Sequence, residues 1–292
     1  MYTHRPARGD ADFVAALALT SRLWRQQAPY AYWLPGDMTW WRAATPDDSA
    51  YQTLELWYAG DSLVAASWQL GSAVDIIADQ THPGLYETIV AHLCESGTVD
   101  TLYAFSRDVG RQAVLLTHGF VAGPPEFRVH LCNPATAPHI PLKPGWSVGP
   151  LPPGPDATAA RAAAQRSAFQ STKMTTERYA YARSLPGYSP EWDTILTDPS
   201  GAIVAFVTVW YDAASNTALF EPVGCVHEHK RTGATRMLFG TLLARLAAAG
   251  VTTASVLSLP VSAETPAGLF YEACGFRPID HIHSWQRIRN DS

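Results

Sequence analysis

Cysteine is scarce in this chain of 292 residues: Cys94, Cys132, Cys225 and Cys274 stand far apart, with no CxxC between them. That excludes a disulfide framework and a zinc ribbon. Long apolar runs are missing as well. None reaches the roughly 18–20 residues that span a bilayer, and Met1–Asp12 has no signal-peptide hydrophobic core. A cytoplasmic protein with no membrane partner is therefore expected. Positive charge is not in excess either. The formal net charge of −5 argues against a nucleic-acid partner, whose phosphates demand clustered Lys and Arg. The deficit is one-sided: nine basic and fourteen acidic residues precede Gly145, and twelve of each follow it. No GxGxxG and no GxxxxGK[ST] occurs, so neither a Rossmann nor a P-loop nucleotide site is indicated.

What is present is a chain with ample material for a core, 47% hydrophobic against 16% charged, and long enough for two domains. Eight prolines between Asn133 and Pro155 mark the clearest break, because proline removes donors and fixes φ. The division expected is a first domain over 1–135, a linker over 136–145 and a second domain over 146–292, with a strand beginning near Trp146–Val148.

The two sides run in parallel. Asp12–Gln27 has helical apolar spacing, and Ala157–Phe169 is an Ala-rich helix after Asp156. Strands Leu54–Tyr58 and Leu63–Leu70 around Gly60-Asp61 match Thr194–Thr197 and Ile203–Trp210 around Asp198–Gly201. Helical segments Ala113–His118 and Ala267–Cys274 each run into Gly-Phe, where glycine suits a left-handed C-cap. Final strands Phe127–Leu131 and Ile282–Arg287 follow. The pattern predicts a tandem repeat of an α/β unit, each a twisted, mixed, mostly antiparallel sheet flanked by helices. Seventy-four positions separate Gly201 from Gly275, but only fifty-nine separate Gly60 from Gly119. The extra length of the second half falls where its chemistry lies.

There, Thr217–Ala249 reads as strand, charged loop and amphipathic helix, with Met237, Leu238, Leu242, Leu243 and Leu246 on one helical face. Lys230, Arg231, Thr232, Gly233, Ala234, Thr235 and Arg236 sit where strand becomes helix. A glycine at that point lets successive N–H groups converge at the positive end of the helix dipole, and three cations stand beside it. The reading is a phosphate or pyrophosphate site.

Lys230–Thr235 resembles the pyrophosphate loop of the GNAT acetyltransferase superfamily, with Lys230 and Thr235 in place of the usual Arg/Gln and Gly/Ala. Glu221-Pro222-Val223-Gly224-Cys225 is similar to the splayed strand that holds acetyl-CoA in that family, and Glu264–Phe276 to its later motif, with Glu264 where Asn is usual. The whole chain resembles tandem acetyltransferases of the mycothiol synthase type, its first half having only His82–Tyr86 where a phosphate loop would stand and hence no cofactor of its own. The resemblance implies acetyl-CoA as cosubstrate and a small-molecule amine as acceptor. It implies a carbonyl polarised by the N–H groups of Val223 and Cys225, Gly224 in the same strand, and Tyr271 protonating the departing thiolate.

Two readings stay open for the key side chains. Glu221, in an otherwise apolar strand, is either a salt-bridging or capping carboxylate or the general base that takes the amine's proton. Tyr271 is either a core aromatic or the acid. Trp210 and Asp212 are expected to line the substrate side. The aromatic group Tyr30, Tyr32, Trp33, Trp40 and Trp41 reads as core or interdomain packing, and Cys225 as a backbone contributor rather than a nucleophile. His227, His229, His281 and His283 are spaced i, i+2, which gives no defined ligand geometry, so no metal is expected. The leading expectation is an acetyl-CoA-dependent N-acetyltransferase acting by direct attack on a cationic acceptor, whether polyamine, aminoglycoside-like or amino-sugar derivative, favoured by the acidic first half. The alternative is a silent acyl-CoA-binding sensor or interaction protein.

Overall fold

A computed structural model describes residues 1–44, 49–260 and 266–288, so Glu264 lies outside the described residues. The first half runs β1 (Tyr2–Pro6), α1 (Asp10–Gln27), α2 (Pro35–Ala44), α3 (Ser49–Gln52), β2 (Leu54–Ala59), β3 (Ser62–Leu70), β4 (Ala73–Ala78), α4 (Leu85–Glu95), β5 (Thr101–Phe105), α5 (Val109–Thr117) and β6 (Phe120–Cys132). The second runs β7 (Ser147–Pro150), α6 (Pro155–Phe169), α7 (Thr176–Ala182), β8 (Asp193–Thr197), β9 (Ile203–Asp212), β10 (Thr217–Cys225), α8 (Ala234–Ala248), β11 (Thr253–Ser258), α9 (Ala267–Ala273) and β12 (Arg277–Arg287). Apart from the short α3 the order of elements repeats, as the sequence pattern predicts.

All twelve strands form one sheet, in the order β1-β2-β3-β4-β5-β12-β6-β11-β10-β9-β8-β7. The halves exchange their last strands. β12 runs antiparallel between β5 and β6, and β6 pairs in turn with β11. Trp285 of β12 is thereby buried with Leu85 and Ile89 of α4 in a first-half core, while Cys132 of β6 is buried in the core of the second. The hydrogen-bonded ladder runs straight through the division that proline makes in the sequence. The proline-rich connector is itself seated, with Ala137 and Ile140 packed against the second-half core.

Helices cover both faces. In the first half α1 lays Phe13, Leu17 and Leu23 on Leu54, Leu56 and Trp68, whereas α4 lays Ile89, Val90 and Leu93 on the opposite face with Trp57 and Val64. This is the period-two alternation of strands expressed as two apolar layers. In the second half Met237, Leu238, Leu242, Leu243 and Leu246 of α8 are all buried, facing β9, β10 and β11. Across the sheet, α6 contributes Ala162, Ala164 and Ala168, small residues that let the helix lie close to Ile195 and Phe206. These packings fix β10 and its flanking turn, on which the chemistry depends.

Candidate functional site

The strand carrying Glu221 is irregular on both edges. Its parallel pairing with β11 covers only Thr217–Leu219, after which the two strands part. Against β9 the register slips between Phe220 and Val223, so one extra residue bulges at Glu221-Pro222. Proline at 222 has no N–H to give a ladder, which suits it to that bulge. The indole Nε1 of Trp210 donates to the Glu221 carbonyl at 2.6 Å and holds the bulge in place. Gly224 is the close-approach position: a Cβ there would lie 2.1 Å from the Phe206 ring.

Into the gap between β10 and β11 opens a cavity of about 440 Å³ bordered by Glu221, Val223, Ser258 and Tyr271. Tyr271 sits on α9, only 7% exposed, stacked on Phe239 and edge-on to His130. Burial and the neighbouring Glu221 push its phenol well above the ordinary range, so the hydroxyl keeps its proton at neutral pH. Burial, reinforced by Asp37, pushes the Glu221 carboxyl up to about 8. Among the described residues its side chain has no hydrogen-bond or ion-pair partner. The Cys225 thiol is raised by burial, which keeps it from being a thiolate nucleophile.

Beyond β10 the chain makes a sharp turn. Arg231 and Gly233 both take positive φ, 65° and 87°, a conformation glycine adopts without steric cost. Gly233 caps α8 with no side-chain partner, and the backbone N–H groups of Gly233, Ala234, Thr235 and Arg236 meet no protein acceptor among the described residues. A Cβ on Gly233 would face open space. Lys230, Arg231 and Arg236 are exposed, and none is in an ion pair recorded among the described residues. Free donors, a helix N-terminus and unneutralised cations fit a diphosphate. The corresponding turn of the first half, ahead of α4, also has a left-handed glycine, Gly84 at φ 72°. Asp79 and Glu87 flank it and no Lys or Arg lies between them.

Glu221 borders a second cavity of about 220 Å³ on its other side. This one lies largely in the first half and is walled by Asp37, Asp75 and Glu126 together with Trp33, Trp41 and Tyr103. Asp37, in the first turn of α2, accepts the Leu34 N–H at 2.7 Å. Burial pushes it up to about 7, with Asp75 adding to the effect. Asp75 on β4 is also pushed up to about 7 by burial, against the opposing pull of the Trp33 side chain and Arg111. Arg111 itself is committed elsewhere, bonding the Ile76 carbonyl and lying over the Tyr32 ring at 3.5 Å. Three carboxylates and Glu221 thus share a desolvated chamber with aromatic walls and no cation of its own lining it.

The structure therefore gathers Glu221, Val223 and Tyr271 around one cavity and sets Gly224, Cys225 and the Lys230–Arg236 turn along the same strand-to-helix path. Trp210 and Asp212 line neither cavity. Trp210 is buried behind the bulge, and Asp212 accepts from Ala214, Ser215 and the Ser215 hydroxyl to close the β9–β10 turn. Part of the aromatic group departs from the packing role expected of it, since Trp41 is 41% exposed and borders both cavities. Sequence reasoning did not single out Asp37, Asp75, Glu126 or His130. His130, fully buried on the exchanged strand β6, bonds the Ser258 hydroxyl at 3.0 Å, and burial pushes its imidazole down to about 4. Only the acidic excess of the first half hinted at the chamber.

No family model and no curated protein matches this chain. Solved structures do. A GCN5-related N-acetyltransferase from Sphaerobacter thermophilus is 17% identical with a TM-score of 0.62, the match covering 100% of this chain and 98% of that one. A tandem GNAT protein from the clavulanic acid biosynthesis pathway is 16% identical at 0.63, over 98% of each chain. A GNAT-family acetyltransferase from Colwellia psychrerythraea is 11% identical at 0.66, over 98% of this chain and 100% of its own. The chain has the tandem GNAT-type fold.

Proposed function

We propose that the protein is an acetyl-CoA-dependent N-acetyltransferase whose acceptor is a small cation bearing a primary amine and a second positive group. The observation that carries this reading is the meeting of two unlike cavities at one carboxylate, Glu221, that has no partner among the described residues. The apolar, Tyr271-lined cavity between the parted strands suits a thioester, whose acyl group is already activated. The acidic, aromatic chamber suits an ammonium or guanidinium, drawn by charge and by the ring faces.

Glu221 stands at the junction, where the acceptor amine would enter. A primary amine with a pKa near 10 is almost wholly protonated at neutral pH, and freeing it costs about 4 kcal/mol. A carboxyl with a pKa of about 8 is better matched to that task than an ordinary glutamate, since a base near the working pH combines adequate ionisation with adequate basicity. Glu221 first takes the proton of the ammonium; the freed nitrogen then attacks the thioester carbon, and the surplus N–H proton of the adduct leaves as the amide forms, restoring the one that Tyr271 gives to sulfur. The carbonyl oxygen is met by N–H groups of β10 at Val223 and Cys225, and the C–S bond breaks with the Tyr271 hydroxyl supplying a proton to sulfur. Asp37, Asp75 and Glu126 take no proton from the reacting amine. They hold the acceptor's far cation and so orient the near amine toward the thioester.

Steady-state release of CoA thiol tests the reading directly. Linear diamines should exceed matched monoamines in kcat/KM by roughly tenfold or more, as expected of one desolvated charge-assisted contact, and Asp75→Asn should erase most of that difference. An anionic amine emerging as the best acceptor would refute the cationic assignment. Binding of acetyl-CoA with no thiol release from any amine would instead leave a silent acyl-CoA binder.

A further inference from the structure

Outside both cavities, near the free edge of the sheet, three side chains from remote parts of the sequence converge. His4 lies on the edge strand β1, Glu55 on β2 and His92 in the last turn of α4. In the β1–β2 ladder His4 is opposite Trp57 and Pro6 opposite Glu55, so His4 and Glu55 are diagonal neighbours on one face, the face that α4 covers. The His4 Nδ1 is 3.8 Å and the His92 Nε2 3.5 Å from the same oxygen, Glu55 Oε2. All three ligand atoms lie within 4.8 Å of one another.

We propose that His4, Glu55 and His92 form a binding site for a divalent metal of the zinc class.

The geometry is the first argument. Two donors at about 2.1 Å on a tetrahedral zinc stand roughly 3.4 Å apart, so the two imidazole–carboxylate separations need adjustments of only a few tenths of an ångström, and the two imidazole nitrogens, within 4.8 Å of each other, must close by about 1.4 Å at most. The second argument is an unmet need. Glu55 Oε2 is shut off from solvent and has no hydrogen-bond partner. A buried carboxylate oxygen left so is costly, and a cation between it and the two imidazoles meets all three at once. The third is support. The His4 ring is stacked on Trp57 at 4.4 Å, and His92 sits edge-on to the same indole at 5.3 Å. Trp57 is itself held by its Nε1 bond to Ser67, so a fully buried ring orients both ligands. A polar cavity of about 170 Å³ bordered by Glu55, His92, Ser67 and Ser96 lies alongside, with room for water at a fourth coordination position. Two imidazoles and one carboxylate favour zinc over the harder magnesium and calcium, which take oxygen donors. Bound there, the metal would pin the edge strand β1 to β2 and α4.

The untagged full-length chain, stripped with chelator, is titrated with ZnCl2 at pH 7.5 against a chromogenic competitor, with its thermal melt followed in parallel. One equivalent should bind and raise the melting temperature, reversibly with EDTA. His4→Ala and His92→Ala should each weaken binding by tenfold or more, while His139→Ala, exposed on the connector, should not. Glu55→Gln separates this site from a mere ion pair. It should lose zinc by at least tenfold while the metal-free variant melts no lower than the parent. The proposal is overturned if the wild type binds zinc no more tightly than the His4→Ala/His92→Ala double variant, or if Glu55→Gln melts lower and binds zinc as before.

Discussion

Replacing Glu221 by Gln keeps size and hydrogen-bonding shape while removing the proton acceptor, so its effect can be worked from the structure. With the free-enzyme carboxyl at about 8, some tenth of the wild-type enzyme is competent at pH 7 and about half at pH 8. The kcat/KM for a cationic acceptor should therefore climb tenfold per pH unit below 8 and level off above it, falling again only as the amine itself loses its proton near 10. In Glu221→Gln, kcat should drop by ~10²-fold or more, and the limb near 8 should disappear. What activity remains should keep rising toward the amine pKa, because only the free base then reacts. Acetyl-CoA affinity should not change, since that part of the site lies along β10 and the α8 turn. Asp37 gives a second handle on the same number. Its charge is one reason the Glu221 carboxyl is raised, so Asp37→Asn should move the limb to lower pH, the shift belonging to the coupled set rather than to one residue. The assay is initial-rate thiol release across pH 6–10 at saturating acetyl-CoA. A Gln variant that melts lower yet turns over normally at every pH would remove Glu221 from the mechanism and leave it a structural residue.

Other outcomes follow from the same geometry. Tyr271→Phe should lower kcat with little change in the KM for acetyl-CoA, and a more acidic leaving thiol should shrink the defect; an unchanged kcat would return Tyr271 to the core. Gly233→Asp, which places a carboxylate in the open space at the start of α8, should abolish acetyl-CoA binding in calorimetry, where the wild type takes one equivalent; two equivalents per chain would mean that the first-half turn binds as well. The carboxyls of Asp37, Asp75 and Glu221 are raised from 3.8, 3.8 and 4.5 to about 7, 7 and 8, so between about pH 4 and 8 the folded state holds more protons than the unfolded. The ligand-free protein should lose stability as pH rises through that window, and Asp37→Asn/Asp75→Asn should flatten the slope of melting temperature against pH. A stability that rises from pH 5 to 8 would show the chamber to be better compensated than its lining suggests.

The sequence by itself determined the repeat of elements, the apolar face of α8, and the turn from Lys230 to Arg236, because each is written locally. Helical and strand periodicities need only neighbours in the chain, and a left-handed residue before a helix calls for glycine wherever the helix lies. It also placed Glu221 on an apolar strand and Tyr271 on the last short helix. It could not decide between a paired and a functional carboxylate, since that depends on what stands across the cavity. The tertiary structure decided the rest. Nothing local in Phe127–Leu131 or Ile282–Arg287 says which sheet each strand joins; the exchange that sets His130 beside Tyr271 exists only in the folded ladder. The acidic chamber draws on Asp37, Asp75 and Glu126, carried by α2, β4 and β6, which lie in distant stretches of sequence. His4, Glu55 and His92 show the same limit most plainly. Histidines spaced i, i+2 are visible in the sequence, whereas the three side chains that meet here are separated by dozens of residues and joined only by the β1–β2 register and the seat of α4.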